Sequence, residues 1–147
     1  MENYEYIGCF LNKEELFEKV KYLRQSPLPN EKKRPHITFV YKPATVPEEL
    51  FGQKITVTVS GYGNDGNNEG LQVSLIGNHP VIDEMISRIP VPHITLAVSD
   101  IGHAVNTRYL SFFPIAPFTL MGHFGGHIDK EDGGSVSNGK LESIAKD

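Results

Sequence analysis

The sequence lacks tryptophan and has a single cysteine, Cys9, among its 147 residues. One cysteine cannot form an intrachain disulfide, and it excludes a structural zinc site built from several thiolates. Cys9 stands in the apolar run Ile7-Gly8-Cys9-Phe10-Leu11. We therefore interpret it as a small buried residue rather than a reactive thiol.

Long apolar runs and an excess of basic charge are also missing. No segment approaches the roughly 20 apolar residues of a membrane-spanning helix, and the N-terminus has no signal-peptide pattern. Acidic side chains outnumber basic ones by 18 to 14, which gives a formal net charge of −4. Coating of extended DNA or RNA needs many Lys and Arg contacts. We predict a soluble cytoplasmic protein, in the host cytoplasm if a phage encodes it, with no membrane partner. The sequence indicates no oligomeric state.

The aromatic and apolar residues that are present suffice for one core. The chain has 8 Phe and 6 Tyr, and 39% of its residues are hydrophobic. Asn12 followed by Glu15 is typical of a helix N-terminus, and apolar residues at helical spacing predict a helix over 13–24. A second helix is predicted over 80–89, with His79 at its start. Patterns typical of strands cover 4–11, 37–41, 53–62, 69–76, 91–98 and 117–128.

This order of strands and helices predicts an α+β fold. No linker divides the chain before residue 132, so we predict one domain over residues 1–132. Residues 133–147 are rich in Gly, Ser, Asn and Lys, a composition that predicts a flexible C-terminal tail.

The most informative feature is a repeated tetrapeptide. Pro35-His36-Ile37-Thr38 recurs 57 positions later as Pro92-His93-Ile94-Thr95, and each copy lies at the start of a predicted strand. Because alternate strand residues point to the same side, each His shares a face with its Thr, and each Ile faces the other way. Two copies favour two similar lobes, in which both His-Thr pairs can face one cleft.

Two imidazoles and two hydroxyls around one ligand suit phosphodiester chemistry without a metal. One imidazole can act as general base and the other as general acid near neutral pH. The hydroxyls can donate hydrogen bonds to the non-bridging phosphoryl oxygens. The rival interpretation is a two-histidine metal site, for which His103, His123 or His127 would supply a further ligand. No metal-ligand spacing accompanies these residues, so we predict no metal.

The two copies, His36-Ile37-Thr38-Phe39 and His93-Ile94-Thr95-Leu96, resemble the paired His-h-Thr-h motifs (h is apolar) of the 2H phosphoesterase superfamily. The resemblance implies a bilobal, duplicated antiparallel-sheet fold with helices on the outer faces and a central cleft. It also implies cofactor-free hydrolysis of 2′,3′-cyclic phosphates or related nucleotide phosphodiesters. The predicted partner is accordingly a small nucleotide or an RNA terminus. The catalytic residues implied are His36, Thr38, His93 and Thr95.

Within the superfamily, residues 59–70 are similar to the middle segment of tRNA-ligase-type cyclic phosphodiesterase domains. Phage members that degrade cyclic di- or trinucleotide immune signals are an alternative. A non-catalytic nucleotide- or RNA-binding module is another. The sequence does not decide which imidazole is the base, or whether the product is the 2′- or the 3′-phosphate.

Cations and aromatic rings near the motifs are further candidates for contact with substrate. Cations can bind a second phosphate, and aromatic rings can stack on a base. The candidate substrate-binding residues are Tyr6, Arg34, Tyr41, Lys42, Arg108 and Phe124.

Overall fold

The computed structural model describes residues 4–128 and the backbone of residues 134–137 and 140–143. This part of the chain is α+β, as the sequence predicts. Its elements are β1 (Tyr6–Phe10), α1 (Lys13–Val20), β2 (Asn30–Glu31), β3 (His36–Tyr41), β4 (Lys54–Asn64), β5 (Asn68–Ile76), α2 (Pro80–Ser87), β6 (His93–Val98), β7 (Phe113–His127), β8 (Gly134–Ser137) and β9 (Lys140–Ser143). Short 3₁₀ segments cover Lys21–Leu23, Glu48–Leu50 and Ala104–Tyr109.

The strands form one antiparallel sheet in the order β2-β6-β5-β4-β7-β1-β3, with β8 added to β7 and β9 added to β8. The long strand β7 connects the two sides of this sheet. Its first part pairs with β4, and its last residues, His123 to His127, pair with β1. The strands predicted over 53–62 and 69–76 correspond to β4 and β5, which pair with each other as a hairpin.

The hydrophobic core lies on one face of the sheet, under both helices. Leu16 and Val20 from α1 and Ile82 from α2 are fully buried in it. The strand residues that meet them alternate with polar or partly exposed residues, so the opposite face stays accessible. Burial of each such aliphatic side chain contributes about 1.5–3 kcal/mol, which makes this face the main source of stability.

Both helices begin where the sequence predicts, because each has a side-chain cap. Asn12 Oδ1 accepts the backbone N–H of Glu15 at 2.8 Å, and His79 Nδ1 accepts that of Val81 at 3.1 Å. These contacts satisfy N–H groups that have no partner within a helix. Neither α-helix in the described part of the chain is long and apolar enough to cross a membrane.

The two ends of the strand order approach each other in space. Strands β2 and β3 are consecutive in the chain but lie at opposite ends of the sheet. The linking residues are bound at both ends, since Lys32 N–H donates to Leu96 O at 2.9 Å and Leu11 N–H donates to Pro35 O at 3.1 Å. Four residues span at most about 14 Å. The sheet is therefore strongly curved, and Cα atoms of β3 and β6 lie within 8 Å of each other.

Strand β7 begins earlier than the sequence pattern indicates, at Phe113 instead of residue 117. Proline has no N–H to donate to a sheet, so Pro114 disfavours a regular ladder at the start of β7. The register of β4 against β7 shifts between Val59 and Gly61, and Pro114 pairs at this irregularity. A bulge tolerates proline where a regular ladder does not.

The C-terminal span differs from the flexible tail predicted over 133–147. Strand β8 pairs with the end of β7, and β9 pairs with β8. The signal for this hairpin is present in the sequence, since Asn138-Gly139, between the two strands, is a dipeptide typical of tight hairpin turns. The other residues of the predicted tail lie outside the described residues.

Candidate functional site

Both copies of the repeat open a strand and present the same face. His36 is the first residue of β3, and His93 is the first residue of β6. In each copy the Ile is fully buried in the core, whereas the His and the Thr are partly exposed on the other side of the sheet. The prediction that each His shares a face with its Thr is therefore confirmed.

The two imidazoles are held by matching hydrogen bonds. His36 Nδ1 lies 3.1 Å from the carbonyl oxygen of Arg34, and His93 Nδ1 lies 2.8 Å from that of Val91. In both cases the acceptor is the carbonyl two residues before the histidine. A carbonyl only accepts, so Nδ1 carries the hydrogen and proton transfer falls to Nε2. In both rings Nε2 is therefore the nitrogen that can exchange a proton with a ligand.

Aromatic rings surround His36. The Tyr6 ring stacks on its imidazole with centroids 4.3 Å apart, and the opposite neighbour of Tyr6 is His127 at 5.0 Å. The Phe10 ring lies 5.8 Å from His36 and 6.1 Å from His123. Strand pairing explains this grouping, because β1 lies between β3 and β7 and pairs Phe10 with both histidines. Tyr6 is thus a neighbour of His36, but its side chain is buried, and its contact with a substrate stays a prediction.

His123 and His127, which the sequence offered only as further metal ligands, also join this group. The pairing of β7 with β1 places His123 opposite Phe10 and His127 opposite Tyr6, and only the tertiary structure shows this pairing. In the described residues, no three His, Cys, Asp or Glu side chains form a group that could hold a metal ion. His103, His123 and His127 accordingly form no such group in this part of the chain.

The surroundings of His93 favour its neutral form. Burial lowers the pKa of His93, the hydrogen bond to the Val91 carbonyl opposes that shift, and the positive charge of Arg108 lowers the pKa further. Arg108 belongs to the 3₁₀ segment Ala104–Tyr109, which packs against β6. The structure therefore brings Arg108, a predicted substrate contact, within electrostatic range of the second motif.

The two threonines have different environments. Thr95 Oγ1 donates to Ala104 O at 3.2 Å and lies 2.7 Å from Thr107 Oγ1. Because Thr95 donates its only hydroxyl hydrogen to Ala104, Thr107 is the donor in the contact between the two hydroxyls, and Thr107 Oγ1 also accepts from Asn68 Nδ2 at 3.0 Å. Thr38 makes no side-chain hydrogen bond to any described residue, so its hydroxyl is the one available to a ligand.

Gly70 leaves room for the 3₁₀ segment Ala104–Tyr109 to contact Thr95. Gly70 pairs with Thr95 across β5 and β6, and a Cβ atom on Gly70 would lie 2.3 Å from Thr107 Cγ2 and 2.7 Å from Ile94 O. The absence of a side chain thus lets the 3₁₀ segment settle onto the motif strand.

A cleft of about 450 Å³ opens next to Phe10 and His123, and none of the four predicted catalytic residues lines it. It is lined by residues from the end of β1, the start of α1, the segment before β3, and β7, namely Phe10, Leu11, Asn12, Lys13, Lys33, Arg34, Met121 and His123. Arg34, predicted to contact substrate, therefore points into a cleft while its carbonyl holds His36.

Three other predicted contacts do not join His36. Tyr41 is the last residue of β3, about 16 Å along the strand from His36 at 3.3 Å per residue, and Lys42 follows it. Phe124 was proposed to stack on a base, and this is wrong. Its side chain has 0% exposure and packs against Phe39 and Phe51 in the core. The alternation of β7 places Phe124 on the core face, opposite His123.

Cys9 is a buried residue, as predicted. Its side chain is fully buried, and burial raises the pKa of its thiol to about 12. A thiol in this state is not a nucleophile near neutral pH.

Comparison with known proteins adds no identification. No family model, curated protein or solved structure matches the chain.

Proposed function

We propose that this protein is a metal-independent phosphodiesterase of the 2H phosphoesterase type, acting on 2′,3′-cyclic phosphates or related nucleotide or RNA-end phosphodiesters. The observation that carries the proposal is the equivalence of His36 and His93. Each begins a strand, lies on the accessible face beside a Thr, and holds its Nδ1 on the carbonyl two residues earlier.

A bilobal organisation with a central cleft belongs to the same proposal. One lobe would centre on β1 and β3, and the other on β5 and β6. The short segment Lys32–Pro35 supports this arrangement, because it is tied to β6 at one end and to β1 at the other. Because β2 is antiparallel to β6, the segment that follows β2 leads towards the start of β6, where His93 lies.

In the proposed mechanism His93 is the base, since its lowered pKa keeps Nε2 unprotonated at neutral pH. Nε2 of His93 takes a proton from water as the water oxygen bonds to phosphorus. The bond from phosphorus to one ribose oxygen breaks, and protonated Nε2 of His36 gives its proton to that oxygen. The product is a phosphate monoester with a free neighbouring hydroxyl, and exchange with solvent restores both imidazoles.

The hydroxyl of Thr38 would donate to a non-bridging oxygen and stabilise the charge that develops there. Thr95 would first have to exchange its hydrogen bond with Ala104 for one with the substrate. We therefore propose that Thr38 contributes more to transition-state stabilisation than Thr95.

The test is turnover of a substrate panel by wild type, His36→Ala and His93→Ala. The panel holds 2′,3′-cyclic mononucleotides, RNA ending in 2′,3′-cyclic phosphate, and cyclic di- and trinucleotides. We expect kcat/KM to fall by about 10²- to 10⁴-fold in either variant, because each loses one proton-transfer group.

The control is His103→Ala, since His103 has an exposed side chain outside both motifs, and it should retain wild-type turnover. Melting temperature checks that each variant folds, and EDTA should leave the wild-type rate unchanged. Full activity of both motif variants, or strict metal dependence, would refute the mechanism. Tight binding of a nucleotide that is recovered intact would instead favour a binding module.

A further inference from the structure

A chain of hydrogen-bonded side chains leads from the core to the second motif. Asn68 has 2% exposure and Thr107 has 0%. Asn68 Nδ2 donates to Thr107 Oγ1 at 3.0 Å, and Thr107 Oγ1 lies 2.7 Å from Thr95 Oγ1. Burial of an amide or a hydroxyl costs free energy unless the group is hydrogen-bonded. The position of these polar groups is therefore set by their contacts with one another.

All donors in this chain point the same way. Asn68 uses its second amide hydrogen on His103 O at 2.7 Å, so two points of the 3₁₀ segment hold its side chain. Because the hydrogen of Thr95 goes to Ala104 O, the hydrogen of Thr107 goes to Thr95. A hydroxyl that accepts a hydrogen bond becomes a stronger donor, since successive bonds polarise one another. The chain therefore strengthens the hydrogen bond that Thr95 can donate.

The last bond of the chain is the longest. A hydrogen bond between two oxygens usually measures about 2.5–3.0 Å, whereas Thr95 Oγ1 and Ala104 O are 3.2 Å apart. Rotation about the Cβ–Oγ1 bond of Thr95 moves only its hydrogen, and the contact with Thr107 keeps the oxygen in place. The Thr95 hydroxyl can therefore change its acceptor at a low cost in free energy.

The hydroxyl of Thr95 lies on the face of the sheet that His93 occupies. Both side chains are partly exposed on β6, whereas Ile94 between them is buried in the core. A phosphoryl group that reaches His93 therefore lies on the same face as Thr95. Negative charge grows on the non-bridging oxygens during the reaction, and an anionic oxygen is a stronger acceptor than a carbonyl.

We propose that Thr107 and Asn68 are positioning residues for Thr95. They fix its oxygen and polarise its hydroxyl, so that a bound substrate draws the hydrogen of Thr95 from Ala104 O to one non-bridging phosphoryl oxygen. No proton is transferred in this step, because only a hydrogen bond changes its acceptor. We call Asn68, Thr107 and Thr95 the relay. This inference rests on the proposed function, because the relay acts on the same reaction.

The first test removes the hydroxyl of Thr107. Thr107→Val keeps a branched side chain of similar size and should lower kcat/KM for adenosine 2′,3′-cyclic phosphate by about 2- to 10-fold, the effect of one hydrogen bond. The loss should fall on kcat with KM nearly unchanged, because the contact forms in the transition state. Thr107→Ser keeps the hydroxyl and should retain most of the wild-type rate. The matched control is Thr45→Val, at an exposed threonine after β3, which should keep both constants.

A double-mutant cycle separates the relay from a purely structural role. If Thr107 acts through Thr95, the double variant Thr95→Val/Thr107→Val should be no slower than Thr95→Val alone. Multiplied losses would show that Thr107 acts by another route and would overturn the relay.

A stereochemical test uses the two diastereomers of adenosine 2′,3′-cyclic phosphorothioate. Each replaces a different non-bridging oxygen with sulfur, which is a weak acceptor. Thr107→Val should slow one diastereomer by its full factor and leave the other nearly unchanged, because Thr95 contacts a single oxygen. Equal losses with both diastereomers would assign Thr107 a structural role only. Melting temperature checks that each variant folds. If Thr107→Val folds poorly, Thr107→Cys replaces it, since a thiol is a weak donor of similar size.

The outcomes distinguish the relay from the phosphodiesterase. Wild-type turnover that Thr107→Val leaves unchanged would overturn the relay and keep the phosphodiesterase. Absence of turnover across the whole substrate panel would refute the phosphodiesterase. Wherever the adenosine substrate is not turned over, calorimetric titration with adenosine 2′-monophosphate decides the relay. Wild type should then bind about 2- to 10-fold more tightly than Thr107→Val. Equal affinities, or no binding by either protein, would overturn the relay.

Discussion

At the scale of single residues, equivalent sequence positions have acquired different environments. The rings of Tyr6 and Phe10 surround His36, whereas the partly exposed His93 lies within electrostatic range of Arg108. Thr38 keeps its hydroxyl for a ligand, whereas Thr95 is bound to the 3₁₀ segment. A repeated tetrapeptide thus supplies two imidazoles whose Nδ1 atoms make matching hydrogen bonds, and the neighbours of His93 lower its pKa.

The lowered pKa of His93 predicts the pH dependence of turnover. The pKa of His93 is lowered by burial and by Arg108, so the acidic limb of kcat/KM should lie below the ordinary histidine value of about 6.5. Arg108→Gln removes one of the lowering influences and should move this limb to higher pH. The pH profile and an NMR titration of the His93 imidazole measure the shift.

The matched control is Arg88→Gln, which removes an exposed arginine paired with Glu84 on α2 and should leave the limb in place. A limb that stays fixed in Arg108→Gln, or moves to lower pH, would show that His93 is not the base or that Arg108 does not act on it.

At the scale of elements, local chemistry fixes where the helices begin, and strand pairing fixes what they cover. Asn12 follows β1 in the chain and caps the N-terminus of α1. The same residue also lines the cleft. The cap therefore matters both for the stability of the helix and for one wall of the cleft.

Asn12→Ala should lower the free energy of unfolding by about 0.5–2 kcal/mol, because the N–H of Glu15 loses its acceptor. Urea unfolding followed by circular dichroism measures the change. Asn12→Asp keeps the acceptor and should restore most of the stability. Equal losses in the Ala and Asp variants would mean that the cap is not the stabilising contact.

At the scale of the whole molecule, one buried carboxylate joins distant parts of the chain. Glu69 has 0% exposure and accepts from Arg24 Nε at 2.6 Å and Nη2 at 2.8 Å, from Tyr62 OH at 2.7 Å, and from Leu28 N–H at 3.1 Å. Strands β4 and β5 are thereby bound to the loop that leads into β2. This loop continues through β2 into the Lys32–Pro35 segment, which leads to His36. The network therefore helps to position the start of that segment.

The network also predicts how stability depends on pH. Burial by itself would raise the pKa of Glu69, but the hydrogen bonds from Arg24, Tyr62 and Leu28 outweigh burial, and the net pKa is lowered below its ordinary value of 4.5. A carboxyl with a lowered pKa stabilises the fold above the unfolded-state value and loses that contribution as pH falls through the folded-state value. Wild type should therefore lose stability on acidification below about pH 4.5.

Glu69→Gln should lower the free energy of unfolding at pH 7 by about 3–5 kcal/mol, because Arg24 is left without its buried partner. Its stability should then change less than that of wild type between pH 7 and pH 4. Urea unfolding at both pH values measures the two effects. The control is Glu49→Gln, at an exposed site, which should stay within about 0.5 kcal/mol of wild type. A steep acid dependence retained in Glu69→Gln would assign the effect to another group.

The sequence by itself determined the features that depend on short-range pattern. Asn12 and His79 identify helix starts because a cap acts over three residues. His36 and Thr38 share a face, as do His93 and Thr95, because strand side chains alternate. The α+β class follows from the order of these elements.

Only the tertiary structure decided which elements meet. Phe124 looked like an available ring until the register of β7 put it in the core, and His123 gained its place beside Phe10 from the same register. The Glu69 network joins residues 24–31 with residues 62 and 69. The cleft is formed where the end of β1, the segment before β3, and β7 meet. Contacts of this kind depend on sheet order and curvature, which no local spacing encodes, because the free energy that selects them comes from burying one shared core.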